Sequence, residues 1–350
     1  MRSKNLSEGI LRSVKSKGFK YIELDSVIET NVIVERSGES FRRFIFSFSD
    51  QNGNELCLRP DLTIASCIRY LNEKNNGPTK VCYNGQAFRK AQNKNDPIIR
   101  SQIGFEIIGS KNEKKDDKQI IDTALKLLSK FKYSSGNLTI GNVQIFNLLL
   151  DKLDIPKRWK LRLKRHFWRE RYFNDLLVRL KTNSDVDPTI VEIDKKKYKK
   201  MLKENQSRQI AGRSINEILT RFNNKIKDPR RVKKGKNVAK IIKEFLKINC
   251  SINQAAKKLN LFFKKYKINL RVEDNYFPIT KNKFFKLNIK FSASFGRQLE
   301  YYTGMVFKID IKSKSKKINI INGGRYDNLI ADLGSSKLIP AVGAAINLNN

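Results

Sequence analysis

The chain has 350 residues, 39% of them hydrophobic and 10% aromatic, enough to pack one large domain or two of ordinary size and too much for a disordered chain. Its formal net charge is +38, from 72 Lys and Arg against 34 Asp and Glu, and the positive charge is densest between residues 151 and 270. No apolar run reaches the roughly 18–20 residues that span a bilayer, and Arg2 and Lys4 precede no apolar stretch, so neither a membrane span nor a signal peptide is expected and the location expected is cytoplasmic.

A chain this basic attracts polyanions by releasing their condensed counterions, which keeps a basic nucleic-acid-binding protein open as a reading. Against it, Lys, Asn and Ile are overused along the whole chain. Runs such as Lys195-Lys196-Lys197 also lack the interleaved aromatic residues that single-strand binders stack on bases. Cys57, Cys67, Cys82 and Cys250 lie far apart with no C-x-x-C pair, as expected of reduced, buried thiols.

In chain order, Phe44, Phe46 and Phe48 alternate with polar residues as in a half-buried strand, and Leu56 and Leu58 repeat the pattern. The turn formers Asp50-Gln51-Asn52-Gly53 between them predict a hairpin loop. Ile120, Ile121, Ala124, Leu125, Leu128 and Phe131 share a helical face. Asp116 and Asp117 start that helix, and Lys130 and Lys132 end it, which suits its dipole. Ser214 and Glu217 form a capping box for a helix carrying Ile215, Ile218, Leu219 and Phe222. Helical periods continue through Ile241, Ile242, Phe245 and Leu246. Strand alternation returns at Leu287, Ile289, Phe291, Ala293 and Phe295, and again at Met305, Phe307, Ile309 and Ile311. The pattern describes an antiparallel, sheet-rich frame interrupted by a basic helical segment, an α+β class.

Several chemistries are absent. The only histidine, His166, lies in Lys164-Arg165-His166-Phe167-Trp168, so sites needing several histidines are excluded and a surface or interface place is expected for it. Neither a Walker-type loop nor a G-x-G-x-x-G opening a helix occurs. No metal and no cofactor is expected.

What remains is a set of polar residues set into apolar strands, where burial demands partners. The segments are Leu58-Arg59-Pro60-Asp61-Leu62-Thr63, Phe88-Arg89-Lys90, Gln102-Ile103-Gly104-Phe105-Glu106, the run from Phe295 to Gly304, and Gly323-Gly324-Arg325-Tyr326-Asp327. Taken singly each has a plain account: Arg59–Asp61 as a local ion pair, Glu106 as a solvated strand residue, Tyr301-Tyr302 as strand aromatics.

Together and in this order they resemble the histidyl-tRNA synthetase-like family of class II synthetase cores, over nearly the whole chain and most densely at 57–71, 83–109 and 295–346. The run R-Q-L-E-Y-Y-T-G-M-V-F is similar to that family's histidine-recognition signature. G-G-R-Y-D-N-L matches its glycine-rich follow-up, and I-P-A-V-G-A-A-I stands where motif 3 begins. The resemblance implies a class II antiparallel sheet flanked by helices. Residues 1–150 would form the first part of the core, 151–272 a basic helical insertion, and 273–350 the remainder with the histidine-recognition segments. It also implies a histidine pocket. Asp61, Thr63 and Gln102 would hold the ammonium, Arg297 would face the carboxylate, Glu106 and Tyr302 would bracket the imidazole, and Tyr301 and Tyr326 would complete the walls. Arg89 takes the motif 2 arginine position.

Amino-acid activation needs arginines on the ATP phosphates. Asn350 stands where the motif 3 arginine belongs, the loop Ala91-Gln92-Asn93-Lys94-Asn95-Asp96-Pro97 lacks the usual pattern, and no anticodon-binding domain is expected. Asparagine can neither neutralise a phosphate nor stack over adenine as a guanidinium does. These departures, with Ala211-Gly212-Arg213-Ser214-Ile215-Asn216-Glu217-Ile218 in the middle, resemble the branch formed by regulatory subunits of short-form ATP phosphoribosyltransferase. That branch implies a non-catalytic partner of the short catalytic subunit. It would self-associate within a hetero-oligomer, activate the catalytic subunit, and transmit feedback inhibition by L-histidine in the first step of histidine biosynthesis. An active histidyl-tRNA synthetase-like enzyme is the rival from the same resemblance.

Overall fold

The computed structural model describes all residues except 1, 38, 74–76, 92–95, 132–134, 183–187, 204–208, 211–212, 227–231, 279–285, 297–300, 314–315 and 349–350. The chain forms two compact units, the first comprising 1–145, 248–259 and 271–350, the second 146–247 and 260–270.

The first unit opens with helix α1 (Arg2–Lys15) and the short strands β1 (Lys20–Tyr21) and β2 (Val27–Glu29), followed by helix α2 (Thr30–Ser37). The expected hairpin follows as β3 (Ser47–Ser49) and β4 (Glu55–Leu58), which pair antiparallel. Its turn closes on Asp50, whose Oδ1 accepts from the amides of Asn52 and Asn54, both at 2.8 Å, while Gly53 supplies a φ of +80°. The strand before the turn is shorter than the Phe44, Phe46, Phe48 alternation suggests. Phe44 ends a 3₁₀ turn from Glu39, and Phe48 is exposed, so this edge buries too little apolar surface to extend further.

Helix α3 (Leu62–Asn72) leads to the long strands β5 (Thr79–Phe88) and β6 (Ile99–Ile108), then to helix α4 (Glu113–Leu127). Asn112 caps α4, and Glu113 and Asp116 lie in its first turn. Its buried face carries Ile120, Ile121, Ala124 and Leu125, as the spacing predicts. Strand β7 (Ser135–Asn142) precedes helix α5 (Val143–Lys152), which runs into the second unit.

The second unit contains helices α6 (Lys157–Arg165), α7 (Glu170–Leu180) and α8 (Pro188–Leu202), the two-residue strands β8 (Gln209–Ile210) and β9 (Arg213–Ser214), and helices α9 (Ile215–Ile226) and α10 (Val232–Leu246). The capping box forms reciprocally: the Ser214 amide donates to Glu217 Oε2 at 3.1 Å and the Glu217 amide to Ser214 Oγ at 3.3 Å. Aromatic rings fill this core, with Phe146 stacked on Phe167 at 4.0 Å and edge-on to Phe173. His166 ends α6 half-buried against Tyr172. Burial and the nearby Arg169, Arg165 and Arg162 push its pKa down to about 4, so its ring is neutral.

Strand β10 (Asn249–Ser251) returns to the first unit, helix α11 (Ala255–Lys265) is shared between the units, and β11 (Lys286–Ser292), β12 (Met305–Ser313), β13 (Lys316–Arg325), the short α12 (Leu329–Asp332) and β14 (Ala341–Asn347) complete the first. The sequence between 151 and 272 is therefore not helical throughout, because β10 pairs with β11 at a sheet edge. One nine-stranded sheet results, in the order β1-β5-β6-β14-β13-β12-β7-β11-β10. Its central pairings are antiparallel, while β1–β5 and β11–β7 are parallel. The predicted strand at 287–295 ends at Ser292, and Ala293 enters a turn. All four cysteines are buried free thiols, and no helix among the described residues is long and apolar enough to cross a membrane.

Candidate functional site

Where β6, β14 and β13 lie side by side, Glu106 stands on the face covered by α3 and by the segment that follows residue 300. It is 1% exposed. Tyr83 donates to its Oε1 at 2.5 Å, Thr63 donates to the same oxygen at 3.2 Å, and Tyr326 donates to Oε2 at 2.7 Å. These described partners are all neutral hydroxyls. Burial raises the carboxyl pKa to about 7, although all three hydroxyls work the other way. The reading of Glu106 as a solvated strand residue is therefore excluded.

The room for this cluster comes from glycines directly across the strand pairs. Glu106 faces Gly343 in the β6–β14 register, and a Cβ at Gly343 would sit 1.2 Å from Glu106 Oε2. Tyr83 faces Gly104 in the β5–β6 register, where a Cβ would come within 2.2 Å of its ring. Gly104 thus lets a tyrosine from one strand lie across its neighbour and reach a carboxylate two residues along.

Beside Glu106 opens a cavity of about 430 Å³. Asp61, Thr63, Arg89, Gln102, Tyr301, Tyr302 and Tyr326 line it together with Glu106. Eight of the nine residues that the resemblance assigns to a histidine pocket are thus brought together. The ninth, Arg297, lies outside the described residues, as does Asn350.

Asp61 caps α3, accepting at Oδ1 from the Ile64 amide at 3.0 Å. Its Oδ2 faces Arg89 Nη2 at 3.3 Å and receives Tyr301 Oη at 3.5 Å. Arg89 also donates to the Pro60 carbonyl at 2.7 Å, so it fixes the start of α3. The local Arg59–Asp61 pair does not form. Arg59, 6% exposed, donates instead to the carbonyls of Gln86, Leu24 and Asp25 and locks three chain segments together.

Tyr301 and Tyr302 pack edge-on at 5.0 Å, and Tyr301 meets Tyr326 at 5.9 Å. Burial first, and Asp61 and Glu106 after it, hold both hydroxyls protonated and hence able to donate.

The far end of the cavity is amide-rich. Gln102 Nε2 donates to Asn347 Oδ1 at 2.8 Å, Asn347 Nδ2 to Asn319 Oδ1 at 3.1 Å, and Asn319 Nδ2 to Asp310 Oδ1 at 3.0 Å. An ammonium would therefore meet Gln102 through its Oε1.

Arg325, next to Tyr326, is 3% exposed and bound to Asp117 at 2.6 Å and Asp327 at 2.8 Å. Burial opposes its charge, but the two carboxylates outweigh it and its pKa stands above the ordinary value. Asp327 accepts from Thr303 Oγ1 at 3.2 Å, so the ion cluster ties the Tyr301–Tyr302 segment to α4. Tyr83, Gly343 and the Asn319–Asn347 chain were not singled out by sequence. Their signal is strand register, which shows only once partners are known.

A sheet antiparallel through its centre and carrying these motifs, with a buried carboxylate and tyrosines under a capped helix, defines a class II synthetase-like core. The chain belongs to the histidyl-tRNA synthetase family: the family model described as histidyl-tRNA synthetase matches residues 1–350. Curated relatives from Brucella anthropi and Chelativorans sp. strain BNC1 are named ATP phosphoribosyltransferase regulatory subunit. The first is 28% identical over 98% of this chain and 96% of its own length. The second is 26% identical over 90% and 88%. The same fold occurs in an ATP phosphoribosyltransferase regulatory subunit/histidyl-tRNA synthetase from Bacillus halodurans, with a TM-score of 0.56 at 20% identity, covering 99% of this chain and 77% of that one. A histidine–tRNA ligase subunit from Alicyclobacillus acidocaldarius gives 0.55 at 19%, covering 99% and 90%.

Proposed function

We propose that the chain is a regulatory, non-catalytic subunit of ATP phosphoribosyltransferase that binds L-histidine in the cavity beside Glu106 and reports it to the short catalytic subunit. The names of the relatives motivate the partner. The observation that carries the ligand is Glu106, a buried carboxylate whose described partners are hydroxyls alone. A ligand with an N–H donor on a ring, or a cationic ring, supplies what that carboxylate lacks, and histidine carries both an imidazole and an ammonium. In this reading the imidazole takes Glu106 with Tyr302 beside it, the ammonium takes Asp61, Thr63 and Gln102, and Arg297 takes the carboxylate.

Inhibition needs a ligand that binds two states of the complex unequally. Thr303, Asp327 and Arg325 connect the tyrosine wall to α4, so a change in that wall has a mechanical outlet in the same unit. The test is calorimetric titration of the purified chain with histidine, alone and with the short catalytic subunit, together with inhibition assays. Binding should occur, and Arg297→Ala should abolish histidine sensitivity while assembly persists. Inhibition unchanged in that variant would refute the pocket assignment, and amino-acid-dependent ATP–pyrophosphate exchange would refute the non-catalytic reading.

A further inference from the structure

The second unit holds a concavity of about 450 Å³ with a very different lining: Lys181, Lys236, Lys240, Lys243, Lys247 and a single acid, Glu244. Four of the lysines stand at positions i, i+4, i+7 and i+11, one stripe along α10 and its immediate continuation. At 1.5 Å per residue the stripe is about 16 Å long. Lys181 joins from the C-terminal cap of α7.

Elsewhere in this basic chain lysines find carboxylates: Lys164 reaches Asp151 at 2.7 Å, Lys118 reaches Asp122 at 2.6 Å, and Lys234 pairs with Asp154. Here the one carboxylate is already held from outside the concavity by Lys265 at 2.8 Å. Like charges at these helical spacings repel. Lys243 registers the crowding: Lys181 above all, then burial and Lys247, lower its pKa. Helix dipoles account for part of the arrangement, because Lys181, Lys243 and Lys247 lie at helix C-terminal ends. Lys236 and Lys240 sit further back along α10, beyond the reach of that effect.

We infer that this concavity is a binding site for a run of condensed phosphates, an inorganic polyphosphate or the phosphate tail of a nucleotide. It goes beyond the histidine-sensing reading and does not depend on it. The lining decides the class. Ammonium groups are compact point charges without the planar fork that selects carboxylates, and the stripe presents several of them in sequence. Among the described residues, no aromatic or apolar side chain lines the concavity to hold a ring or base. Recognition is therefore by charge density, and the ligand is short and highly charged.

The test uses the full chain and inorganic triphosphate, titrated by calorimetry at physiological salt, with ATP, orthophosphate and a short unstructured RNA as parallel ligands. Triphosphate should bind with one-to-one stoichiometry and ATP within about threefold of it, with orthophosphate at least tenfold weaker. The triple variant K240Q, K243Q, K247Q should lose at least tenfold in affinity. A control with the same charge loss on α8, K195Q, K196Q, K197Q, should bind as the parent does. Because the substitutions relieve repulsion, the first variant should melt at or above the parent temperature without ligand. Equal loss in both variants would reduce the effect to net charge and overturn the site. ATP binding over tenfold tighter than triphosphate would replace a phosphate site by a nucleoside site, and RNA binding more tightly than triphosphate would make it a nucleic-acid groove. A lower melting temperature for K240Q, K243Q, K247Q would remove the premise of unrelieved repulsion.

Discussion

Replacing Glu106 by glutamine should stabilise the unliganded protein and weaken its ligand binding at the same time. A carboxyl held at about 7 rather than at its ordinary 4.5 makes the ionised form about 3 kcal/mol more costly in the native state than in the unfolded one. Between those two pH values the native state keeps a proton that the unfolded state has released. Stability therefore falls as pH rises through this window and levels off above pH 7. Glutamine never ionises, and the hydroxyls of Tyr83 and Tyr326 can rotate to suit its amide. Glu106→Gln should thus gain up to about 3 kcal/mol over the parent at pH 8 and nothing at pH 4.5. Histidine binding should weaken by about 10- to 100-fold, the loss of one charge-assisted hydrogen bond worth about 1.5–3 kcal/mol. Urea unfolding at both pH values and calorimetry with histidine measure the two halves. A variant less stable than the parent at pH 8 would show that the carboxylate is not under strain there. An unaltered histidine affinity would remove Glu106 from the binding site.

Asp61→Asn should preserve stability to within about 1 kcal/mol, because asparagine caps a helix as well as aspartate does, yet it should lower histidine affinity by removing the charge opposite the ammonium; paired melts and titrations separate the two roles. Arg325→Ala should cost about 3–5 kcal/mol in urea unfolding, since it removes a buried guanidinium and leaves the half-buried Asp117 and Asp327 without their shared cation. Gly343→Ala drives a methyl group into Glu106 and should prevent folding or cost more than about 3 kcal/mol, seen as loss of the cooperative melt; a normal melt in that variant would contradict the strand register across the pocket.

Much of the site was legible because its polar residues interrupt apolar strands. That pattern marked the segments, but it was the family resemblance that assigned Glu106, Asp61, Arg89 and the tyrosine pair to one pocket. The environment of each was not legible, since partners arrive from strands far apart in sequence. Arg59 appeared to pair locally and instead binds three carbonyls. Tyr83 carried no signal of its own, and only the register that sets it opposite Gly104 brings it to the site. Alternation marked β11 and β12, whereas the hairpin edge around Phe44 and the return of β10 to the large sheet depend on tertiary pairing that local pattern does not encode. The reciprocal cap at Ser214 and Glu217 was readable in full, because every group in it lies within four residues.

The sheet order has a consequence for biosynthesis. Strand β14 lies between β6 and β13, joining strands that precede it by more than 200 residues to one that precedes it closely. A chain emerging from the ribosome therefore holds the two walls of the Glu106 cavity apart until β14 arrives to bridge them. Prematurely terminated products would carry Glu106 without Gly343 facing it and without a continuous sheet. Chains stopped before β14 would thus lack the sheet that joins those walls, and any molecule that needs both walls would bind only chains extending through β14.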